Sequence, residues 1–84
     1  MDYFVYVILS SKRDWIYVGL TNNVQRRMKE HHLGRNFSTK AYAPFRLLFT
    51  EIYPTRVDAR IREKYLKSAA GKRWIKCNCL CGPV

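Results

Sequence analysis

Arg27 and His31 stand four residues apart, with Tyr17 just upstream, in the stretch Tyr17-Val-Gly-Leu-Thr-Asn-Asn-Val-Gln-Arg-Arg-Met-Lys-Glu-His31. On a helix, positions i and i+4 are neighbours on one face. A guanidinium of fixed charge, an imidazole and a phenol gathered at one strand-to-helix junction would make an anion site with a titratable neighbour. The same spacing also describes a solvated basic helix with no chemistry of its own. A second candidate is Glu63, an acid hemmed by Arg60, Arg62, Lys64 and Lys67. Such an acid is either a surface ion-pair partner, which contributes little, or an ionised carboxylate available to a metal.

The elements that must position these groups are legible around them. Residues 15–18 are aromatic and β-branched and read as a strand. Gly19 weakens that strand and lets the backbone approach something closely. Asn22 or Asn23 can cap the helix that follows, Val24 and Met28 form its apolar stripe, and Gly34 offers a left-handed stop. Upstream, residues 3–9 are almost unbroken in their apolarity, as expected of a central strand buried on both faces. Residues 10–14 turn the chain into a hairpin. Residues 35–44 show no period, and Pro44 leads into a third strand over residues 45–53. There Phe45, Leu47 and Phe49 are expected on one face, with Arg46, Leu48, Thr50 and Ile52 on the other.

Thr55 is the expected N-cap of a second helix, with Asp58 at capping-box spacing. That helix is expected to run to about Ala70 and stop at Gly71. Val57, Ile61, Tyr65 and Ala69 make its main apolar face, Ala59, Leu66 and Ala70 a second flank, and Arg56, Arg60, Lys64 and Lys67 the basic side. Beyond it, Trp74 is expected to dock a short segment into the core. The fold class is therefore α/β (α+β), a three-stranded antiparallel sheet flanked by helices.

With 84 residues the chain is expected to form one domain over residues 1–76 with a tail over 77–84. No apolar run approaches the ~18 residues of a membrane span, and the start lacks a signal peptide's positive region, so the expected location is cytoplasmic. The net charge is +10, from 16 Lys and Arg against 6 Asp and Glu. Charge of that size favours a polyanion. The cations are interleaved with Tyr, Trp and Phe rather than massed in a tail, which suits nucleic acid better than an anionic membrane. Arg26, Arg27, Lys29 and Lys40 are expected inside the basic patch, and Thr39 and Lys40 are candidates to touch a phosphate backbone. Cys77, Cys79 and Cys81 are odd in number and closely spaced, which fits neither a disulfide framework nor the C-x₂₋₄-C spacing of structural zinc. They read as incidental thiols.

Val5-Tyr6-Val7 in the first strand, Tyr17-Val18-Gly19 in the second, Arg27 and His31 in the first helix, and Glu63 in the last helix form an ordered set. This set resembles the GIY-YIG nuclease superfamily over residues 3–75, and is most similar to small standalone members and to the catalytic domain of the excinuclease. Val5 replaces the usual isoleucine of the first motif, and Phe4 stands where its glycine would be. The resemblance implies a metal-dependent DNA endonuclease, acting in repair or recombination, that hydrolyses phosphodiesters with one divalent cation, Mg²⁺ or Mn²⁺. Glu63 would hold the cation, and Arg27 would fork onto phosphate oxygens. Tyr6, Tyr17 and His31 would orient or deprotonate the attacking water, a choice the residues leave open. By residue type alone Tyr6 and Tyr17 read as core, and His32 as an exposed neighbour. The alternative is a non-catalytic nucleic-acid-binding module on the same scaffold. DNA is the expected partner, with no membrane and a monomer or weak homodimer, and the sequence leaves open whether a separate protein does the targeting.

Overall fold

The computed structural model describes residues 2–12, 15–33 and 44–80. Strands β1 (Tyr3–Ser10), β2 (Ile16–Thr21) and β3 (Phe45–Tyr53) form one antiparallel sheet in the order β2-β1-β3. The continuous apolar run puts β1 at the centre, where Val5, Tyr6, Val7 and Ile8 are all fully buried. Helix α1 (Val24–His32) covers one face, and α2 (Arg56–Lys67) with α3 (Ala69–Ile75) covers the other. A π-helical turn, Lys76–Leu80, continues α3 across the expected boundary at residue 77.

Alternation along β1 divides the core in two. Val5 and Val7 pack with Ile16, Val18, Ala59, Leu66 and Ile75 beneath α2 and α3. Tyr6 and Ile8 pack with Phe45, Trp15, Tyr17 and Met28 beneath α1. A bulge pairs Val7 with Phe49 but Ile8 with Leu47, leaving Leu48 as the extra residue of β3. The bulge reverses the alternation, so Phe45 serves the α1 face and Phe49 the opposite one. The expectation that they share a face fails for that reason.

Both helix starts follow their caps. Asn23 accepts from the Arg26 N–H at 3.0 Å, and Thr55 accepts from the Asp58 N–H at 3.2 Å. The face of α2 differs from the expected one. Ala59, Glu63 and Leu66 point inward, whereas Val57 and Ile61 are 69% and 64% exposed. A small residue at 59 lets the helix lie close to the sheet, and α3 folds back over the Leu66 side.

The turn between α2 and α3 corrects a second expectation. The helix ends at Lys67, and Ser68 accepts from the Gly71 N–H at 3.1 Å to start α3. Gly71 is no helix stop: a side chain there would run into the Tyr65 carbonyl and the Leu66 backbone. Ile75, not Trp74, enters the core. Trp74 lies edge-on to Phe49 at 5.9 Å and takes the Arg62 guanidinium 5.0 Å from its ring centroid.

Candidate active site

Tyr6 extends from the middle of β1 across its register partner Gly19, whose missing Cβ leaves the space the phenol ring fills. This is the close approach that the glycine in β2 signalled. The ring runs on to α1, where the Tyr6 hydroxyl meets Nε2 of His31 at 2.9 Å. One turn earlier on α1, Arg27 acts on the Tyr6 phenol, drawing its pKa downward, and pairs with Glu30 at 2.7 Å. A guanidinium can only donate, so toward Arg27 the phenol oxygen can only accept.

Burial sets the protonation states. It pushes the Tyr6 phenol up to about 12, against the opposing pull of Arg27, with the charge of Glu63 adding a smaller upward push. Burial, and then the Arg27 charge, push His31 down to about 4. At neutral pH both groups are therefore uncharged. His31 is enclosed by rings: Tyr17 edge-on at 5.2 Å, Phe45 edge-on at 5.6 Å and Tyr6 at 5.8 Å. The half-buried Tyr17 and Arg27 form the outer side of this cluster. His32 does more than sit exposed, since its Nε2 donates to the Phe45 carbonyl at 2.6 Å and fastens the end of α1 to the start of β3.

Glu63 comes from α2. Its side chain is 8% exposed and meets Lys67 Nζ at 3.2 Å and Arg60 Nη1 at 3.7 Å, and both cations are themselves half exposed. Glu51, by contrast, is engaged by both nitrogens of Arg62, at 2.9 and 3.2 Å, and by the Tyr53 hydroxyl at 2.9 Å. Glu63 is thus a sheltered carboxylate whose partners are flexible and displaceable. Among the described residues no three His, Cys, Asp or Glu side chains converge. One carboxylate with water and phosphate oxygens completing the shell suits Mg²⁺, which keeps most of its water. The donor set fits such an ion. Cys77 is an exposed free thiol, and the Cys79 side chain and Cys81 lie outside the described residues.

Beside Arg27 a cleft of about 310 Å³ opens at the end of the sheet, lined by Tyr3, Leu20, Thr21, Asn22, Arg26, Arg27 and Arg56. It places Arg26 beside Arg27. Lys29 lines a second groove on α1 with Asn23, Gln25 and Arg26. Thr39 and Lys40 fall outside the described residues. Arg56 is expected from the sequence only as one of the cations on the basic side of α2, and Glu30 carries no expectation from it. Glu30 shows only its i, i+3 spacing from Arg27 as a signal, and Arg56 shows only its place directly after the Thr55 cap.

Residues 2–76 match the model of the GIY-YIG catalytic domain. The chain belongs to this nuclease family. Its relatives include the UPF0213 protein of Nitratidesulfovibrio vulgaris, 36% identical over 76 residues that cover 89% of this chain and 68% of that one. They also include the UPF0213 protein YazA of Bacillus subtilis, 33% identical over 86% of this chain and 73% of that one. The solution NMR structure of a UPF0213 protein from Bacillus halodurans superposes with a TM-score of 0.57 at 30% identity, covering 92% of this chain and 84% of that one. No helix among the described residues is long and apolar enough to cross a membrane.

Proposed function

We propose that this protein is a metal-dependent DNA endonuclease that hydrolyses phosphodiester bonds, with Tyr6, Tyr17, Arg27, His31 and Glu63 as its working residues. The observation that carries the reading is the gathering of a part-exposed cation, a phenol and a buried neutral base, Arg27, Tyr6 and His31. A scissile phosphate docks on Arg27, competing with Glu30 for the guanidinium, and the growing charge on its oxygens is met by a donor already in place. A phenol pushed up to about 12 is a poor base by itself. It can pass a proton instead, accepting one from the attacking water while its own moves to Nε2 of His31. Burial is the larger cause holding His31 down, and the phosphate charge beside Arg27 offsets the smaller one, the Arg27 cation, so the base strengthens when substrate is present. Tyr17 closes the outer side of the relay and orients the water. A Mg²⁺ or Mn²⁺ ion held by Glu63 would polarise the phosphate and stabilise the leaving oxygen.

Family membership supports the reaction class, and the +10 charge supports a polyanionic substrate. The likeness of the motif set to the excinuclease domain favours a place in repair or recombination. The test is incubation of purified protein with flap, nicked, single-stranded and duplex DNA, with Mg²⁺ or with chelator. Cutting that needs Mg²⁺ and is lost in Arg27→Ala is the expected result. Binding without cutting of any substrate would leave the non-catalytic module as the better account.

A further inference from the structure

The cleft beside Arg27 holds more positive charge than a single phosphate requires. Arg26 and Arg27 reach it from α1 and Arg56 from the first turn of α2, and no acid lines it. Arg27 is engaged by Glu30, but among the described residues no carboxylate pairs with Arg26 or Arg56. The contact of Arg26 is a long one, from Nη2 to the Asn22 Oδ1 at 3.5 Å. Guanidiniums around one concavity repel each other unless an anion joins them. The cleft volume of about 310 Å³ is at the lower end of the ~300–1,000 Å³ typical of small-ligand sites. That is room for a nucleotide-sized group rather than a bare phosphate. Arg27 stands at both the cleft and the Tyr6–His31 pair, so whatever fills the cleft adjoins the phosphate at Tyr6.

Resting on the nuclease reading above, we propose that Arg26 and Arg56 grip the phosphate next to the scissile one. The site then recognises a polynucleotide chain rather than an isolated phosphodiester. Two guanidiniums from different helices fix the direction of the strand, because each can fork onto phosphate oxygens in a set plane. Arg56 is exposed at the start of α2, and no ion pair among the described residues holds it there.

The experiment compares the parent with Arg56→Ala, Arg26→Ala and, as a charge control, Arg73→Ala on α3, with circular dichroism checking the fold of each. Labelled DNA and RNA oligonucleotides of one sequence are titrated by fluorescence anisotropy in chelator across a salt series. Arg56→Ala and Arg26→Ala should each weaken binding about tenfold, the loss expected for one charged hydrogen-bonding contact. Each should also lower the salt slope by about one. Arg73→Ala should stay near the parent. Equal weakening on DNA and RNA supports a phosphate contact, whereas weakening on only one overturns it in favour of a sugar contact. In a substrate with a mapped cut, one neutral methylphosphonate beside the scissile linkage should raise the parent's KM and raise that of Arg56→Ala no further. Equal sensitivity in both proteins, or an Arg56→Ala variant that binds like Arg73→Ala, overturns the subsite while leaving the nuclease reading standing. A parent that binds neither nucleic acid removes the nuclease reading, and the subsite with it.

Discussion

Gly19 and Tyr6 face each other across β2 and β1, and the phenol of Tyr6 occupies the space that any Cβ on residue 19 would need. The two motifs named for their tyrosines are thus joined by a steric lock as well as by the strand ladder. The tyrosine reaches His31 because the glycine lies under it.

Gly19→Ala should therefore separate the phenol from His31. Overpacking of this kind costs ~1–3 kcal/mol, and the ring has no free side to retreat to because Tyr6 is fully buried. The expected outcome is a destabilised but folded protein whose nuclease activity falls by ~10² or more, as when one pre-organised group is displaced. Denaturant melts alongside DNA cutting check this. Full activity in the variant would mean that the Tyr6–His31 hydrogen bond plays no part in the reaction.

The same pair makes stability depend on pH at both ends. Burial holds His31 near 4, below its ordinary 6.5, so between those values the unfolded chain binds a proton that the native one refuses. Stability should rise with pH through that window, and about 3 kcal/mol should be lost by pH 4. Tyr6 acts in the other direction. Its phenol stays protonated to about 12 while the unfolded chain ionises near 10.0, so stability should fall again as pH rises through that interval, by about 3 kcal/mol. Urea melts across pH, repeated on His31→Gln and Tyr6→Phe, check both limbs. A variant that keeps its parent's slope on the limb of the deleted group refutes the assignment for that group.

How much could be read beforehand follows from which forces are local. The central strand, both helix caps and the hairpin follow from runs and spacings within a few residues, and the structure bears them out. The inward face of α2 does not, because Val57, Ile61 and Tyr65 are larger than Ala59, and spacing alone favours the larger stripe. Closeness of approach decided it instead, together with α3, whose existence was hidden by reading Gly71 as an end. The Phe45 and Phe49 split depends on one bulge residue, Leu48, that no pattern marks. At the site, Tyr6, Tyr17, Arg27 and His31 do come together. Arg56 could not be singled out, because its place depends on where the start of α2 lands beside α1.

The α2 correction carries its own test. Leu66→Ala removes a fully buried side chain and should cost ~2–5 kcal/mol. Val57→Ser and Ile61→Ser alter exposed positions and should each stay within ~0.5 kcal/mol. Thermal melts of the three variants distinguish the faces. Losses at 57 and 61 as large as that at 66 would restore the larger apolar stripe as the inward face.

Glu63 gives the most discriminating test of the reaction. Lys67 and Arg60 flank it at 3.2 and 3.7 Å, an arrangement that also describes an ordinary ion-pair acid. The two roles predict different results for Glu63→Gln. Gln keeps the size but is a far poorer ligand for Mg²⁺, a hard cation usually held by carboxylates. It also removes a negative charge, so affinity for DNA should hold or rise slightly. A metal role therefore predicts lost cutting with intact binding, and an Arg27→Ala variant that loses cutting by ~10² through a different contact. An ion-pair role predicts unchanged cutting and a small loss of stability, since Lys67 and Arg60 are exposed enough for water to replace the acid. Cleavage assays at saturating Mg²⁺, with anisotropy for binding and a melt for stability, separate the two. Cutting by Glu63→Gln at the parent's rate would remove the metal from this residue, whatever the fate of the Arg27–Tyr6–His31 relay.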